Sequence, residues 1–224
     1  MLSNRSALDR RGSNGLYVQY GAGLTGPSEW VNFDASPTLW LERRWLIGRL
    51  ISKNAARFSS NIQFGDIVKG LPIPPNTVDG LYASHVLEHL TQEDRLIALA
   101  HSYHLLKPGG TFRLVVPDLR ARAELYISDH GSEHGASWFL RSSGLGRERR
   151  MSGLVGKLTQ AFGHSAHLWM WDEASMSDAL ASAGFTRIRR CEFGDAEDAM
   201  FRLVEEEGRF LDQGIEELAM EARK

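Results

Sequence analysis

Residues 78–118 read VDGLYASHVLEHLTQEDRLIALAHSYHLLKPGGTFRLVVPD, and this stretch decides the fold. LYASHV (81–86) and TFRLVV (111–116) are short apolar runs of strand-forming residues. Between them the pattern turns helical. Thr91 is a candidate N-cap, and T-Q-E-D puts a carboxylate three residues after it, close to a capping box. Leu96, Ile97, Leu99, Ala100, Tyr103 and Leu106 supply the apolar face. KPGG (107–110) predicts a sharp stop. Strand, helix and strand make a parallel unit. In open α/β sheets, ligands bind beyond the carboxyl ends of the strands. SHVLEH and Asp118 stand at those ends, so the stretch predicts both a fold and the edge where chemistry occurs.

Working outward, LYVQY (16–20), WVNFD (30–34) and NIQFGD (61–66) read as three earlier strands. LWLERRWLIGRLIS (39–52) has apolar residues at helical spacing, with Arg43, Arg44 and Arg49 between them. From about Leu119 to Ser165 the pattern loosens. Order returns at HLWMW (167–171). Asp172 is a good N-cap for EASMSDALASA, and Gly184 suits the position after the helix, with Phe185 folding back. FTRIRRCEF (185–193) is a sixth strand, and LAMEARK (218–224) a last one. The alternation predicts a Rossmann-like, doubly wound α/β fold. Its sheet is mostly parallel, of about seven strands, with an antiparallel edge strand. Residues 1–14 read as a polar lead-in. Residues 15–224 read as one domain, with an insertion at about 119–166.

The 224 residues include 26 basic and 28 acidic side chains, a formal net charge of −2. That balance argues against a general nucleic-acid binder, which carries a basic excess. One cysteine, Cys191, excludes an internal disulfide, and no cysteine-based zinc site is expected. The first residues have no apolar signal region, and no window reaches the ~20 apolar residues of a membrane span. The expected location is cytoplasmic.

The turn Gly21-Ala22-Gly23 follows the first strand, and Asp34 ends the second. A carboxylate there can accept both ribose hydroxyls of an adenosine cofactor, while the glycines let backbone approach the ligand. The plain alternatives are a structural turn and a helix cap. The turn-to-Asp spacing is shorter than the ~20 residues of the dinucleotide fingerprint. Only residues 24–29 separate Gly23 from Trp30, too few for a crossover helix, which favours a cofactor without phosphates. Asp66 and Ile67 close the third strand, where they can meet an adenine ring or simply a loop and the core. His85, Glu88 and His89 follow strand four. His85 and His89 can share one face of a helical turn, but no third His or Cys stands at ligand spacing, so no metal site is expected. His164 and His167 flank the re-entry, where Trp169 and Trp171 read as core or pocket wall. Arg147, Arg149, Arg150 and Lys157 make a basic patch, either a solvated face or a grip on a carboxylate or phosphate.

Taken together, the Gly-Ala-Gly turn, WVNFD, the GD before LPIPPNTVDGLYASHVLEH, and LLKPGGTFRLVVPD resemble the class I S-adenosylmethionine-dependent methyltransferases. The nearest likeness is the type-11 methyltransferase domain, in a small bacterial subgroup with a shortened first crossover. The likeness covers residues 16–118, with HLWMWDEASMSDALASAGF and CEFGD resembling the carboxyl half. It implies that Gly21, Ala22, Gly23, Asp34, Ala35, Asp66, Ile67, Ser84 and His85 line S-adenosyl-L-methionine. It implies that Ser84 and His85 stand near the sulfonium. The acidic residue usual in the first strand is absent; Gln19 stands nearby to take part of its role. The expected reaction is methyl transfer to a small-molecule acceptor, anionic if the basic patch grips it, at a hydroxyl or carboxyl oxygen. A sugar, a polysaccharide precursor or a natural product would suit. His85, His167 and Asp118 are the candidate catalytic groups. The alternative is a non-catalytic binding module of the same fold.

Overall fold

The computed structural model describes residues 15–37, 39–40, 58–128, 135–146 and 166–224. β1 (Tyr17–Tyr20) and β2 (Val31–Asp34) are buried at every position. Strands covered on both faces read as continuous rather than alternating apolar runs. β3 (Ile62–Phe64), β4 (Val78–Ser84), β5 (Leu106–Val116), β6 (Thr186–Arg190) and β9 (Leu218–Arg223) complete a seven-stranded sheet, ordered β3-β2-β1-β4-β5-β9-β6. A small hairpin, β7 (Leu211–Asp212) with β8 (Ile215–Glu216), precedes the last strand. β3 through β5 pair in parallel, and β9 runs antiparallel to both β5 and β6. The antiparallel strand therefore lies one place in from the edge. The edge itself, β6, exposes Arg187 and Arg190, a charged rim that discourages edge pairing.

α1 (Gln92–Leu105) joins β4 to β5, and Thr91 caps it by accepting from the Asp94 amide at 3.2 Å. The KPGG stop takes an unexpected form. Val78 of β4 pairs with Leu106, but Gly80 pairs with Thr111, so Lys107–Gly110 bulge out inside β5. Lys107 Nζ lies 2.7 and 2.6 Å from the two Asp79 oxygens, and Asp79 Oδ2 also accepts from Leu16 N at 2.7 Å. Asp79 thus ties the bulge to the start of β1.

The stretch read as irregular begins with two helices, α2 (Leu119–Ser128) and α3 (Ala136–Ser142). Their weak amphipathic pattern hides them: α2 buries only Arg122 and α3 buries nothing fully. α4 (Glu173–Ser182) has the expected cap, a reciprocal box between Asp172 and Ser175. Gly184 (φ 103°) ends that helix, and Phe185 folds back to stack 5.5 Å from Phe112. α5 (Glu207–Phe210) is a single turn before the hairpin.

The main core packs Val18, Phe33, Leu81, Leu99, Phe112, Leu114, Trp171, Met176 and Leu218. On the other side of the sheet, Tyr17, Trp30, Tyr82 and Phe201 form a second cluster. Among the described residues, Arg113 and Arg122 are almost wholly enclosed. Arg113 meets Glu205 at 2.7 Å, Glu221 at 2.6 Å and Asp195 at 2.9 Å. Arg122 meets both oxygens of Glu217 at 2.8 Å. Removing one member of such a pair strands a buried charge, at about 3–5 kcal/mol.

Candidate active site

The strand order reverses between β1 and β4, the switch point at which open α/β sheets leave a crevice. β1 runs directly into Gly21-Ala22-Gly23. Gly21 has φ 72°, and a Cβ there would fall 2.1 Å from Val86 Cγ2, so only glycine fits against the end of β4. Ala22 N donates to Phe33 O at 3.0 Å and Gly23 N to Asp34 Oδ2 at 2.9 Å. Asp34 Oδ1 accepts from Ser36 N at 2.7 Å. The buried Asp34 carboxylate therefore clamps the glycine turn onto the end of β2, with Ala35 exposed beside it. Each of its oxygens keeps a second lone pair for a ligand.

The short crossover replaces a helix with side-chain hydrogen bonds. Gln19 Nε2 donates to Asn32 Oδ1 at 2.7 Å and Thr25 O at 3.2 Å. Asn32 Nδ2 donates to Pro27 O and Trp30 O at 2.9 Å, and Asn61 Nδ2 donates to Gly26 O. Gln19 is committed to this loop. Its amide nitrogen therefore braces the turn.

Gly65 N donates to Asp34 O at 3.1 Å, which brings the end of β3 beside the clamp. Asp66 accepts from Val68 N at 3.0 Å and pairs with Lys69 at 2.9 Å. Ile67 is buried, and its carbonyl accepts from His101 Nδ1 at 2.7 Å. Asp34, Asp66, Ile67 and the glycine turn thus meet at one corner.

The other corner lies beyond β4. Ser84 is buried at the strand end. His85 adopts φ 53°, a strained conformation for a side-chain-bearing residue, of a kind that clusters at functional sites. Its Nδ1 lies 3.2 Å from Glu88 Oε1 and its Nε2 lies 3.0 Å from Arg209 O. Burial opposes charge on this imidazole. The Glu88 carboxylate, aided by the Arg209 carbonyl, outweighs burial and raises its pKa above the ordinary value. Glu88 has no exposed surface. Its carbonyl accepts from Leu168 N at 2.8 Å and Trp169 N at 3.0 Å, which draws the 166–169 segment onto the turn Leu87–His89. His167 consequently stacks edge-on against His89, with ring centroids 5.0 Å apart.

Asp118 sits at the ligand edge but is fully engaged. It accepts from Arg120 N at 2.8 Å and Ala121 N at 3.3 Å, and pairs with Arg190 at 3.1 Å. Those contacts start α2 and leave little of the carboxylate for a substrate. Trp171 is core, and Arg95 stacks 3.8 Å from the Trp169 ring and 4.5 Å from that of Trp171. Burial pushes the lone thiol, Cys191, up to about 12, so it offers no thiolate. The basic residues Arg147, Arg149, Arg150 and Lys157, and His164, lie outside the described residues, as does most of the 39–52 segment. Sequence reading missed Arg209, whose guanidinium lies 3.5 Å from where a Cβ on Gly23 would stand. Nothing in the EGRF turn signals that position.

Residues 16–114 match a family described as "Methyltransferase domain". Among curated proteins, none matches the sequence. Among solved structures, the chain resembles a SAM-dependent methyltransferase from Archaeoglobus fulgidus. That likeness has 15% identity and a TM-score of 0.50, and covers 94% of this chain and 86% of that one. An S-adenosylmethionine-dependent methyltransferase from Mesorhizobium loti is 19% identical at a TM-score of 0.48, with 94% and 91% covered. A 1,6-didemethyltoxoflavin-N1-methyltransferase from Burkholderia thailandensis, solved with S-adenosylhomocysteine, is 16% identical at 0.46, with 94% and 71% covered. The matched segment carries the Gly turn, Asp34, Asp66 and the end of β4. It marks residues 16–114 as a methyltransferase domain, and the sheet topology is the one such domains share. Among the described residues no helix is long and apolar enough to cross a membrane.

Proposed function

We propose that the chain transfers the methyl group of S-adenosylmethionine to a hydroxyl or carboxyl oxygen of a small-molecule acceptor. The observation that carries this reading is the convergence of two unlike corners at one switch point. One holds Gly21, Asp34 and Asp66; the other holds His85, Glu88, His89 and His167. The first corner fits the cofactor. A Cβ-free turn gives close backbone approach, Asp34 keeps lone pairs for the ribose hydroxyls, and Asp66 and Ile67 suit adenine. Ala22, Gly23, Ala35 and Ser84 complete that lining.

The cofactor supplies an activated methyl group, which passes to the acceptor as the carbon–sulfur bond breaks and S-adenosylhomocysteine leaves. The protein's part is to align the acceptor oxygen within ~3–3.5 Å of that carbon. A hydroxyl acceptor must also lose its proton, and the histidine-rich corner is the group of side chains placed to assist. His85 and His167 belong to that corner. Asp118, held by α2 and Arg190, is the weaker candidate. Arg147, Arg149 and Arg150 suit an acceptor with a carboxylate or phosphate.

Calorimetry with S-adenosylhomocysteine tests the cofactor corner: wild type should bind and Asp34→Ala should lose most of the affinity. Equal affinities would remove the ribose assignment. Comparing charged and uncharged acceptors with an Arg147/Arg149/Arg150→Ala triple variant tests the anionic preference. An unchanged ratio of turnover would reject it.

A further inference from the structure

We propose that Glu88, His89 and His167 form a binding site for one divalent transition-metal cation of the zinc class. One carboxylate oxygen and two ring nitrogens from these residues lie within 4.8 Å of one another. Zinc bonds of ~2.0–2.2 Å at tetrahedral angles place donors about 3.4 Å apart, so the ligands need only a modest closure. His89 Nε2 is already 3.9 Å from Glu88 Oε1.

The carboxylate looks built for a cation. Glu88 is 0% exposed, and its Oε2 has no hydrogen-bond partner among the described residues. An ionised group so enclosed is costly unless paired or bound to a metal. His85 Nδ1, 3.2 Å from Oε1, orients the carboxylate and leaves Oε2 to ligate.

Both imidazoles are held as ligands usually are. A ring nitrogen facing a carbonyl must carry the proton, because the carbonyl can only accept. His167 Nδ1 donates to Ser143 O at 2.7 Å, and His89 Nδ1 donates to Ala166 O at 3.2 Å. These bonds fix the tautomer in which Nε2 is the ligating atom, the outer-shell arrangement typical of metal-bound histidine. The backbone is also shaped around His167. Gly144 (φ 66°) leaves its ring room that a Cβ, 2.4 Å from Nδ1, would take away.

Two nitrogens and one oxygen suit zinc, cobalt or ferrous iron better than calcium or magnesium. Three protein ligands leave a position open, as in catalytic sites. If the methyl-transfer reading holds, that position would take the acceptor oxygen and ease its deprotonation.

The test uses chelator-stripped, untagged full-length protein titrated with CoCl2 and, separately, ZnCl2. The expected result is one equivalent of Co2+ with visible d–d bands that Zn2+ abolishes. A hundredfold excess of Zn2+ over Kd should raise Tm by roughly 5–10 °C. Glu88→Gln, His89→Gln and His167→Gln should each weaken binding about 100-fold, while His104→Ala, on the exposed face of α1, should bind as wild type. Absence of bands and of a Tm shift in the wild type would overturn the site. So would wild-type affinity in a folded His167→Gln. Where a variant fails to fold by circular dichroism, the wild-type stoichiometry and the remaining variants decide. S-adenosylhomocysteine binding without metal binding would sink this site alone; metal binding without it would sink the methyl-transfer reading alone.

Discussion

The two corners of the crevice are built in opposite ways. The glycine corner is assembled mostly from neighbours in sequence: Gly23 with Asp34, Gln19 with Asn32, Asp34 with Ser36. The histidine corner draws on residues far apart: Glu88 with Leu168, His167 with Ser143, His85 with Arg209. A site made of near neighbours is fixed once its strands pair. A site made of distant segments exists only when the insertion and the carboxyl-terminal turn dock on β4.

The comparison is most severely tested at Gly21, where both corners touch. Gly21→Ala combines a left-handed backbone with a Cβ at 2.1 Å from Val86. It should cost about 3 kcal/mol in urea unfolding, and pairing it with Val86→Ala should recover only the steric part. A loss under 0.5 kcal/mol would mean that the turn and β4 are not locked together.

Asp34→Ala should weaken S-adenosylhomocysteine binding by about 2 kcal/mol, roughly 30-fold, through lost hydrogen bonds to a charged acceptor. His167→Gln, from the other corner, should leave that affinity within about twofold. Equal losses from the two variants would dissolve the distinction between the corners.

Gln19→Leu removes a buried donor that braces the helix-less crossover. It should cost about 1–2 kcal/mol of stability and weaken cofactor binding with it. Stability lost with cofactor affinity intact would show that the brace serves the fold alone.

The smallest effect belongs to Asp172→Ala, in neither corner, at about 1 kcal/mol for a lost N-cap. The Ser175 hydroxyl and amide hold the Asp172 carboxyl below its usual range. A depressed carboxylate contributes above its unfolded pKa and loses that contribution as pH falls through its folded value. The difference between wild type and variant should therefore be full at pH 7 and shrink below about pH 4. A difference that grows on acidification would contradict the cap.

Much of the fold was legible because its signals are local. LYVQY, WVNFD and TFRLVV are buried on both faces and read as apolar runs, and Thr91 and Asp172 cap the helices that follow them. Asp34 and the glycine turn were legible because a strand end and its carboxylate sit close in sequence. α2 and α3 were not, since helices that bury so little leave almost no periodic pattern. KPGG was read as a stop and the helix does end at Leu105, but the bulge that KPGG then forms within β5 was not legible, because Asp79 and Lys224 hold it there. The loop-bracing bonds of the Gln19 amide nitrogen were not legible, since what an amide donates to depends on the residues packed above it.

By itself, the sequence determined the strands of the main sheet, the helices capped by Thr91 and Asp172, and the edge where the strands end, because periodicity, caps and strand-end residues act over a few positions. Tertiary structure decided the rest. The distance in sequence between His89 and His167 gives no hint that their rings lie 5.0 Å apart, nor that a buried Glu88 stands between the two segments. That meeting depends on the Glu88 carbonyl capturing Leu168 and Trp169, a contact that exists only once the chain has folded.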